Sequence, residues 1–167
     1  MERILIIGCS GAGKTTLALQ LSEKLGLPLV HLDALYWRDN WQGISNEEFD
    51  RLLTEELRKQ KWIIDGNYGR TLPLRLQHCD TVIYLDYSRL TCIFGIFKRV
   101  VRWYGKTRPD MGANCPEHVD FEFFKFVWTF NKKYRERYHK MLKESDNKKV
   151  IILKNRKQAE KFIQSLS

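Results

Sequence analysis

Short apolar runs alternate with stretches of helical periodicity along most of the chain. The first run, residues 4–7, is rich in isoleucine and predicts a strand that ends at Gly8. Apolar side chains then recur at helical spacing, at Leu17, Ala18, Leu21 and Leu25. Gly26 and Pro28 predict the end of this helix. The N-terminal segment therefore predicts a strand, a glycine-rich turn and a helix in direct succession.

Four further apolar runs predict the other strands. They cover residues 29–32, 62–64, 81–85 and 150–153. The segments between them are long enough for helices that connect parallel strands, which need a crossover of roughly a dozen residues. The chain therefore predicts an α/β fold with five strands.

The predicted helices have recognisable starts. Ser45 and Glu48 form a capping box at the start of one helix, and Ser88 caps another with a broad apolar face. Residues 121–143 predict a long helix that is rich in aromatic side chains, and Asn155 caps the last helix. Helices of this kind, between strands, favour the α/β class.

Residues 105–120 interrupt this alternation. The segment holds two glycines and two prolines and shows little periodicity, so it predicts a loop. A loop of this length in a compact domain usually has a function, most often as a lid over a site. Arg108, beside Pro109, is the cation that such a lid would carry.

Length and composition predict a single domain. The chain has 167 residues, of which 43% are hydrophobic, enough for one core of ordinary size. It has no apolar stretch of about 18 residues, and its N-terminal apolar run is too short for a signal peptide. The four cysteines are scattered and indicate neither a disulfide framework nor a zinc site. We therefore expect one cytoplasmic domain over residues 1–167, with a lid insertion at about 105–120 and no membrane partner.

The positive charge is concentrated in the C-terminal part. Residues 1–97 carry 11 Lys and Arg against 12 Asp and Glu, whereas residues 98–167 carry 18 against 8. Such a surplus attracts anions, which include nucleoside triphosphates, phosphorylated substrates and nucleic acids. Basic and aromatic residues are mixed over 121–143, a combination that binds single-stranded nucleic acid. The aromatic residues fall at helical spacing, however, which favours packing in the core.

The turn after the first strand carries the clearest chemistry. Gly8, Gly13, Lys14 and Thr15 match the pattern G-x-x-x-x-G-K-[ST], in which the glycine-rich backbone points successive N–H groups at phosphate oxygens. Lys14 adds a cation for the β- and γ-phosphates, and the hydroxyl of Thr15 is a ligand for Mg²⁺. The helix that begins here directs the positive end of its dipole at the same anion. The motif therefore predicts a nucleotide phosphate site.

Acidic residues follow two predicted strands, at the edge of the sheet where ligands bind in open α/β folds. Asp33 comes just after the strand at 29–32, and Asp65 directly after the strand at 62–64. Asp33 is a candidate for contact with a substrate hydroxyl or Mg²⁺, and for the base that accepts a proton from the attacking group. Asp65 fits the second half of a magnesium site, held through water opposite Thr15. For both residues the alternative is an aspartate that forms a turn.

Residues beyond these acids are candidates for the walls of a substrate pocket. Trp37 stands between Tyr36 and Trp41, and the segment after Asp65 supplies Asn67, Tyr68 and Arg70. An arginine at this place can hold a phosphate or a carboxylate with its planar guanidinium. For the aromatic group, packing in the core or on the surface is an equally good interpretation. We expect Arg75 to be solvated and His31 to point away from the site.

The motifs GCSGAGKTT, HLDALYW, DGNYGR and GKTRPDMG resemble those of the bacterial topology modulation proteins, a family related to adenylate kinases. Over nearly the whole chain, the order of elements is similar to that of nucleoside-monophosphate-kinase-like P-loop proteins such as the adenylate and shikimate kinases. The resemblance implies a three-layer P-loop NTPase fold with a five-stranded parallel sheet in the order 2-3-1-4-5 and a lid. It also implies that ATP and Mg²⁺ are bound.

The resemblance assigns residues to the nucleotide. It implies that the ATP phosphates lie on Gly8, Ser10, Gly11, Ala12, Gly13, Lys14, Thr15 and Thr16. The adenine would lie near Asn155 and Arg156.

The resemblance also assigns arginines to the lid. Arg99, Arg102 and Arg108 would close over the transferred phosphoryl group, with Arg135 or Arg137 behind them. In adenylate kinases the corresponding acceptor-site arginine comes one place earlier than Arg70. Asp33, by contrast, is similar to the hydroxyl-binding acid of shikimate- and gluconate-type kinases, which favours a small hydroxylated acceptor.

We therefore expect a small-molecule kinase that transfers the γ-phosphoryl group of ATP to a hydroxyl or phosphate acceptor. Lys14, Mg²⁺ and the lid arginines would neutralise the phosphate charge. The alternative is an ATP-dependent nucleic-acid-binding protein that modulates DNA topology, although DNA is the less favoured partner. A P-loop protein with slow ATPase activity and no acceptor is a third reading.

Overall fold

The computed structural model describes residues 1–145 and 147–166. Its centre is a parallel sheet of five strands, beside which lies a hairpin of two short strands. The strands are β1 (Arg3–Gly8), β2 (Leu29–His31), β3 (Trp37–Arg38), β4 (Gln42–Gly43), β5 (Trp62–Asp65), β6 (Thr81–Leu85) and β7 (Lys149–Leu153). Each of the five predicted strands is present in the parallel sheet.

The order of the sheet is β2-β5-β1-β6-β7, which is 2-3-1-4-5 when only its own strands are counted. β1 lies at the centre, where Ile4 is in register with Ile63 on one side and with Thr81 on the other. Residues 4–7 are completely buried, as expected of a central strand in a sheet covered on both faces. The predicted strand order is thus confirmed.

Helices connect the strands and cover the sheet. They are α1 (Lys14–Leu25), α2 (Leu32–Tyr36), α3 (Asn46–Leu57), α4 (Leu72–His78), α5 (Arg89–Trp103), α6 (Phe121–Lys143) and α7 (Arg156–Ser165). The predicted caps are confirmed. The Ser45 hydroxyl accepts the backbone N–H of Glu48 at 3.1 Å, the Asn155 side chain accepts that of Gln158 at 2.9 Å, and Ser88 caps α5 in the same way.

The segment after β2 was predicted to continue as a strand through residue 32, but the chain turns into α2 at Leu32. Leu32 is completely buried at the start of this helix. The following hairpin, β3 and β4, is closed by a 3₁₀ turn over Asp39–Trp41, in which Asn40 has φ 57°. Neither α2 nor the hairpin has a hydrophobic period long enough to be recognised in the sequence.

The loop between α5 and α6 packs against this hairpin. The backbone N–H of Asn40 donates to the carbonyl of Asn114 at 3.0 Å, and the indole N–H of Trp41 donates to the carbonyl of Pro116 at 3.1 Å. A Cβ on Gly112 would overlap the carbonyl of Trp37, so the two segments approach each other without room for a side chain. The loop therefore lies over the edge of the sheet where β2 and β5 end.

α5 packs directly on the glycine-rich turn between β1 and α1. A Cβ on Gly95, in the middle of α5, would overlap the backbone carbonyl of Gly11, and a Cβ on Gly11 would overlap that of Cys92. Only glycine permits this approach. The position of the turn therefore depends on a helix that follows it by some eighty residues in sequence.

The aromatic side chains of α6 are divided between core and surface. Phe130 and Tyr138 are buried, whereas Trp128 is 46% exposed. The preference for core packing is therefore right for the part of the helix that faces the sheet. In residues 1–145 and 147–166, the helices are too short or too polar to cross a membrane.

Candidate active site

A cavity of about 870 Å³ opens where β1 and β5 end. The turn before α1 and its first residues line one part of it, and Asp33, Trp37 and residues 65–68 line another. α5, the loop 104–120, the start of α6, the end of β6 and the start of α7 form the remaining wall. The cavity therefore joins the phosphate motif to the acidic residues that follow β2 and β5.

The turn between β1 and α1 is built to hold an anion. Gly11 and Gly13 have φ values of 80° and 95°, a conformation that side chains with a Cβ rarely adopt. α1 begins at Lys14, so the unpaired backbone N–H groups of its first turn are directed at the cavity. The ammonium group of Lys14 donates to the carbonyl of Cys9 at 3.3 Å. The loop supplies backbone donors, a helix N-terminus and a cation at one place.

Thr15 and Asp65 meet at the floor of the cavity. The hydroxyl of Thr15 donates a hydrogen bond to Oδ2 of Asp65, the last residue of β5, at 2.9 Å. The other carboxylate oxygen, Oδ1, is buried and has no hydrogen-bond partner among the described residues. Burying a carboxylate oxygen without a partner is costly, so this atom marks a place for a ligand.

These two residues fit Mg²⁺. Hydroxyl and carboxylate oxygens are the ligands that this ion prefers, and a hydrated cation beside Thr15 would give Asp65 Oδ1 a partner. The described chain holds no group of three His, Cys, Asp or Glu residues that forms a complete metal site. Mg²⁺ commonly takes several of its ligands from water and from nucleotide phosphates.

The expectation that His31 points away from the site is wrong. Its Nδ1 lies 3.2 Å from Oδ2 of Asp65. The reason is the sheet register, because β2 and β5 run parallel with His31 opposite Asp65. Side chains at paired positions point to the same face of a sheet, which brings the imidazole to the carboxylate.

Asp33 lies in the first turn of α2 and lines the cavity. Its Oδ1 accepts the hydroxyl of Tyr68 at 2.9 Å. Burial raises the pKa of the Asp33 carboxyl above its ordinary value, although the hydrogen bond from Tyr68 opposes this shift. Burial also raises the pKa of Tyr68, and the neighbouring Asp33 charge adds to it. Asp33 is therefore a carboxyl group with an increased proton affinity, and the neutral phenol of Tyr68 holds it in place.

Aromatic rings surround this pair. The ring of Tyr36 lies 4.8 Å from that of Trp37 and 5.3 Å from that of Tyr68, measured between centroids. Trp37 and Tyr68 line the cavity, whereas Phe49 closes the cluster from the core. The predicted aromatic wall is therefore formed in part by side chains that also pack against the core.

Arg75 organises the segment that follows Asp65. It is completely buried, and its guanidinium donates to the backbone carbonyls of residues 66, 67 and 68 at 2.9, 2.5 and 2.9 Å. Burial lowers its pKa to about 10. Asn67, held by this arginine, accepts the backbone N–H of Gly8 at 3.1 Å. The expectation of a solvated Arg75 is therefore wrong.

Arg70 lies outside the cavity. It is exposed and pairs with Asp50 through both terminal nitrogens, at 2.7 and 2.8 Å. Two arginines of one short segment thus have opposite surroundings, because α4 turns Arg75 towards the core.

Two arginines of the proposed lid share one carboxylate. Arg99 donates to Oε1 of Glu117 at 2.8 Å, and Nε of Arg108 lies 3.0 Å from Oε2. Arg108 also donates to Oδ2 of Asp110 at 2.8 Å. Burial, and next the charge of Arg108, lower the pKa of Arg99. The arrangement connects α5 to the loop 104–120 through buried charges at the cavity wall.

The other predicted site residues are placed differently. Arg102 is exposed at the cavity wall, with its guanidinium 5.7 Å from the ring centre of Trp103. Ser10, Ala12, Thr16 and Arg156 line the cavity. Asn155 caps α7 and, like Arg135, does not line the cavity. Arg135 instead forms an ion pair with the buried Asp86, at 2.8 Å.

Sequence reasoning missed three residues that contact the predicted site: His31, Asp110 and Glu117. The parallel pairing of the second and third sheet strands could have indicated His31. Asp110 follows Arg108 and Pro109 in the predicted lid, and an acid so close to a lid arginine was the available signal. No pattern in the sequence indicates that Glu117 meets Arg99.

Comparisons with known proteins agree with this geometry. The family model described as ATPase family associated with various cellular activities (AAA) matches residues 4–86, which hold the phosphate motif and Asp65. No protein of curated function matches the sequence significantly.

Solved structures match the whole chain. Shikimate kinase from Acinetobacter baumannii, in complex with shikimate, has a TM-score of 0.64 at 17% identity, covering 99% of this chain and 90% of that one. Deoxyadenosine kinase from M. mycoides, with bound dATP, has a TM-score of 0.60 at 20% identity over 99% of both chains. Shikimate kinase from Bacteroides thetaiotaomicron has a TM-score of 0.58 at 18% identity, covering 99% and 95%. The chain therefore has the three-layer P-loop NTPase fold of nucleoside-monophosphate-kinase type.

Proposed function

We propose that this protein is an ATP-dependent kinase that phosphorylates a small hydroxylated molecule. One observation carries the proposal: the phosphate loop, Asp33, Asp65 and Arg108 line a single cavity. A phosphate donor on the loop and a hydroxyl at Asp33 would therefore share one cavity. The structural neighbours support the same class, because two are named shikimate kinase and one deoxyadenosine kinase.

The loop residues would hold the triphosphate. Backbone N–H groups of residues 11–16 and the ammonium of Lys14 would surround the β- and γ-phosphates. Mg²⁺, held by Thr15 and by Asp65 through water, would neutralise phosphate charge when it is bound. Catalysis of this kind depends mainly on positioning and charge. The buried packing of Gly11 against α5 keeps the loop in a fixed position for this task.

Asp33 would orient the acceptor and receive its proton. A carboxyl whose pKa is raised by burial is a better base than an ordinary aspartate, since catalytic groups work best when their pKa approaches the working pH. The hydroxyl of Tyr68 fixes one carboxylate oxygen, which leaves the other for the acceptor. Trp37 would provide an apolar wall beside it.

The loop 104–120 would act as a lid that carries Arg108 to the transferred phosphoryl group. Arg99 keeps a buried Nε that has no hydrogen-bond partner in the described part of the chain. A bound phosphate would accept a hydrogen bond from this donor, and its negative charge would reduce the repulsion between the buried guanidinium groups of Arg99 and Arg108. Arg99 and Arg108 are therefore the preferred clamp.

The test is a screen for ADP release from ATP over nucleosides, nucleotides, sugars and hydroxy acids. A positive acceptor should be phosphorylated stoichiometrically, and Lys14→Ala should reduce its turnover to background with an unchanged melting temperature. Lys24→Ala is the matched control, because Lys24 is an exposed lysine in the last turn of the same helix. Equal turnover in the Lys14→Ala protein would contradict the assignment. ADP release independent of any acceptor would instead indicate an ATPase.

A nucleic-acid function has weaker support. The basic residues Lys132, Lys133 and Lys140 of α6 are exposed, but the interleaved Phe130 and Tyr138 are buried and cannot stack on bases. The lysines of this surface offer phosphate contacts, and these lose affinity steeply as salt increases, whereas the exposed ring of Trp128 is already stacked with the guanidinium of Arg89 at 4.5 Å. Affinity for DNA that persists at physiological salt would favour the nucleic-acid function over the kinase.

A further inference from the structure

The lid loop carries an acid into the phosphate site. Asp110 is 8% exposed, and its Oδ2 lies 3.3 Å from the hydroxyl oxygen of Thr15. The same oxygen accepts a hydrogen bond from Arg108 at 2.8 Å. A segment more than ninety residues away in sequence thus reaches the hydroxyl that belongs to the predicted magnesium site.

The hydroxyl of Thr15 has one proton but faces two carboxylates. Asp65 Oδ2, at 2.9 Å, is the closer acceptor, so Asp110 Oδ2 faces the lone pairs of the hydroxyl. Asp65 also has the buried Oδ1 that lacks a partner in the described residues. Arg108 already supplies a positive charge to Asp110 Oδ2, so it is the buried Oδ1 of Asp65, without a partner in the described residues, that leaves this group of oxygens able to take a further cation.

The contacts of Asp110 distinguish a metal ligand from a phosphate mimic. A carboxylate that occupied the place of a phosphate would accept hydrogen bonds from the backbone N–H groups of the loop. Within residues 1–145 and 147–166, the polar contacts of Asp110 Oδ2 are with the side chains of Thr15 and Arg108 and not with the backbone N–H groups of the loop. It therefore lies beside Thr15, the predicted Mg²⁺ ligand, rather than on the backbone N–H groups that would hold phosphate.

We propose that Asp110 is a ligand of the nucleotide-bound Mg²⁺, directly or through one of its waters, and that it couples closure of the loop 104–120 to metal binding. The inference rests on the proposed function, because the ion is expected together with a nucleotide. Thr15 and Asp65 would supply the ligands that lie on α1 and β5, and Asp110 would supply a further ligand when the loop 104–120 closes. Arg108, two residues earlier, is positioned by the same closure.

Calorimetric titration of the non-hydrolysable analogue AMPPNP, with Mg²⁺ and with EDTA, measures the coupling. In the wild-type protein Mg²⁺ should tighten binding. Asp110→Asn should reduce, by roughly tenfold or more, the factor by which Mg²⁺ tightens AMPPNP binding, since couplings between two bound ligands span about 5- to 150-fold in affinity. Its affinity in EDTA should stay within about twofold or improve. The matched control is Glu122→Gln, because Glu122 is exposed on the first turn of α6 and the variant has the same loss of charge.

Trypsin provides a second readout that does not depend on activity. Lys106 is exposed in the loop, whereas the Arg108–Pro109 bond resists the protease. Mg²⁺ with AMPPNP should protect the bond after Lys106 in the wild-type and Glu122→Gln proteins but not in Asp110→Asn. The inference would be overturned if Asp110→Asn had the same ratio of AMPPNP affinities, with Mg²⁺ and with EDTA, as the wild-type protein. It would also be overturned if this variant bound AMPPNP with Mg²⁺ more tightly than the wild type does. Failure of the wild-type protein to bind AMPPNP at all would instead refute the proposed function.

Discussion

Tyr68 donates its hydroxyl proton to Asp33 across 2.9 Å, and this bond joins the segments that follow β2 and β5. Asp33 comes from α2, which directly follows β2, and Tyr68 from the loop after β5. The bond holds a carboxylate at the edge of the cavity although burial opposes its charge. A buried charge is maintained only where it has a use or a strong partner, and a single phenol is a modest partner.

Replacement of Asp33 by Asn should reduce activity while increasing stability. The amide cannot accept a proton, so kcat should fall by about two to four orders of magnitude. The raised pKa means that folding opposes ionisation of this carboxyl. Protonation of Asp33 therefore stabilises the folded protein. This contribution to the free energy of unfolding is complete below pH 3.8, the ordinary pKa of an aspartate, and it is lost as the pH rises through the pKa of the folded state. The melting temperature of Asp33→Asn should therefore exceed that of the wild type at neutral pH, and the difference should diminish towards pH 3.8.

Tyr68→Phe is the companion variant for this prediction. It removes the donor and leaves the carboxyl buried, so the pH at which kcat/KM rises should move upward. Thermal unfolding and pH–rate profiles of the two variants measure both effects. An Asp33→Asn protein that is less stable at every pH would indicate an aspartate that only forms a turn.

Arg75→Ala should cost far more stability than Arg70→Ala. The first change leaves three buried or partly buried carbonyls without their donor and creates a cavity, so we expect a loss of about 3 kcal/mol or more. Arg70 forms an exposed pair with Asp50, which contributes roughly 1 kcal/mol or less. Urea unfolding of both variants measures the difference. Similar losses for the two would show that the buried hydrogen bonds are energetically unimportant.

The backbone architecture was predictable because it depends on local patterns. Strands at 81–85 and helices such as 121–143 have hydrophobic periods and caps that identify them without reference to the rest of the chain. The α2 helix and the hairpin at 37–43 have neither: α2 begins at the buried Leu32, and the hairpin contacts a loop that comes much later. They were therefore missed.

The site was predictable where a sequence motif is typical of one kind of chemistry. The phosphate loop and Asp65 follow from spacing and from the edge of the sheet at which they lie. The surroundings of arginines do not follow in this way, because they depend on tertiary contacts: Arg70 meets Asp50 of α3, whereas Arg75, on α4, meets the backbone of the segment after Asp65. The pairing of Arg99 with Glu117 likewise depends on how a loop folds back, and sequence spacing carries no information on it.

Arg99 and Arg108 should contribute more to turnover than Arg102. Both are largely buried at the cavity wall and share Glu117, whereas Arg102 is exposed. A lost arginine clamp costs about three to five orders of magnitude in kcat, so Arg99→Ala and Arg108→Ala should approach that range. Arg102→Ala should lose roughly tenfold or less. Single-turnover rates of the three variants provide the comparison, and full activity in both buried variants would contradict the proposed lid.

Gly95→Ala should weaken nucleotide binding through a contact that lies outside the phosphate motif. In the interior of an exposed helix, Ala is more favourable than Gly by about 1 kcal/mol. At Gly95 the added methyl would overlap the backbone carbonyl of Gly11, so either α5 or the phosphate loop must move. Because the loop holds its donors in a fixed array, a displacement of this kind should weaken AMPPNP binding by roughly tenfold or more.

Gly69→Ala is the matched control for this effect, since a Cβ there would meet no atom within 4 Å and its φ is not positive. It should bind AMPPNP as the wild type does. Calorimetry on both variants, with circular dichroism to verify the fold, separates a displaced loop from general unfolding. If Gly95→Ala bound normally and unfolded at a higher temperature, the helix would have absorbed the methyl group, and the position of the phosphate loop would not depend on α5.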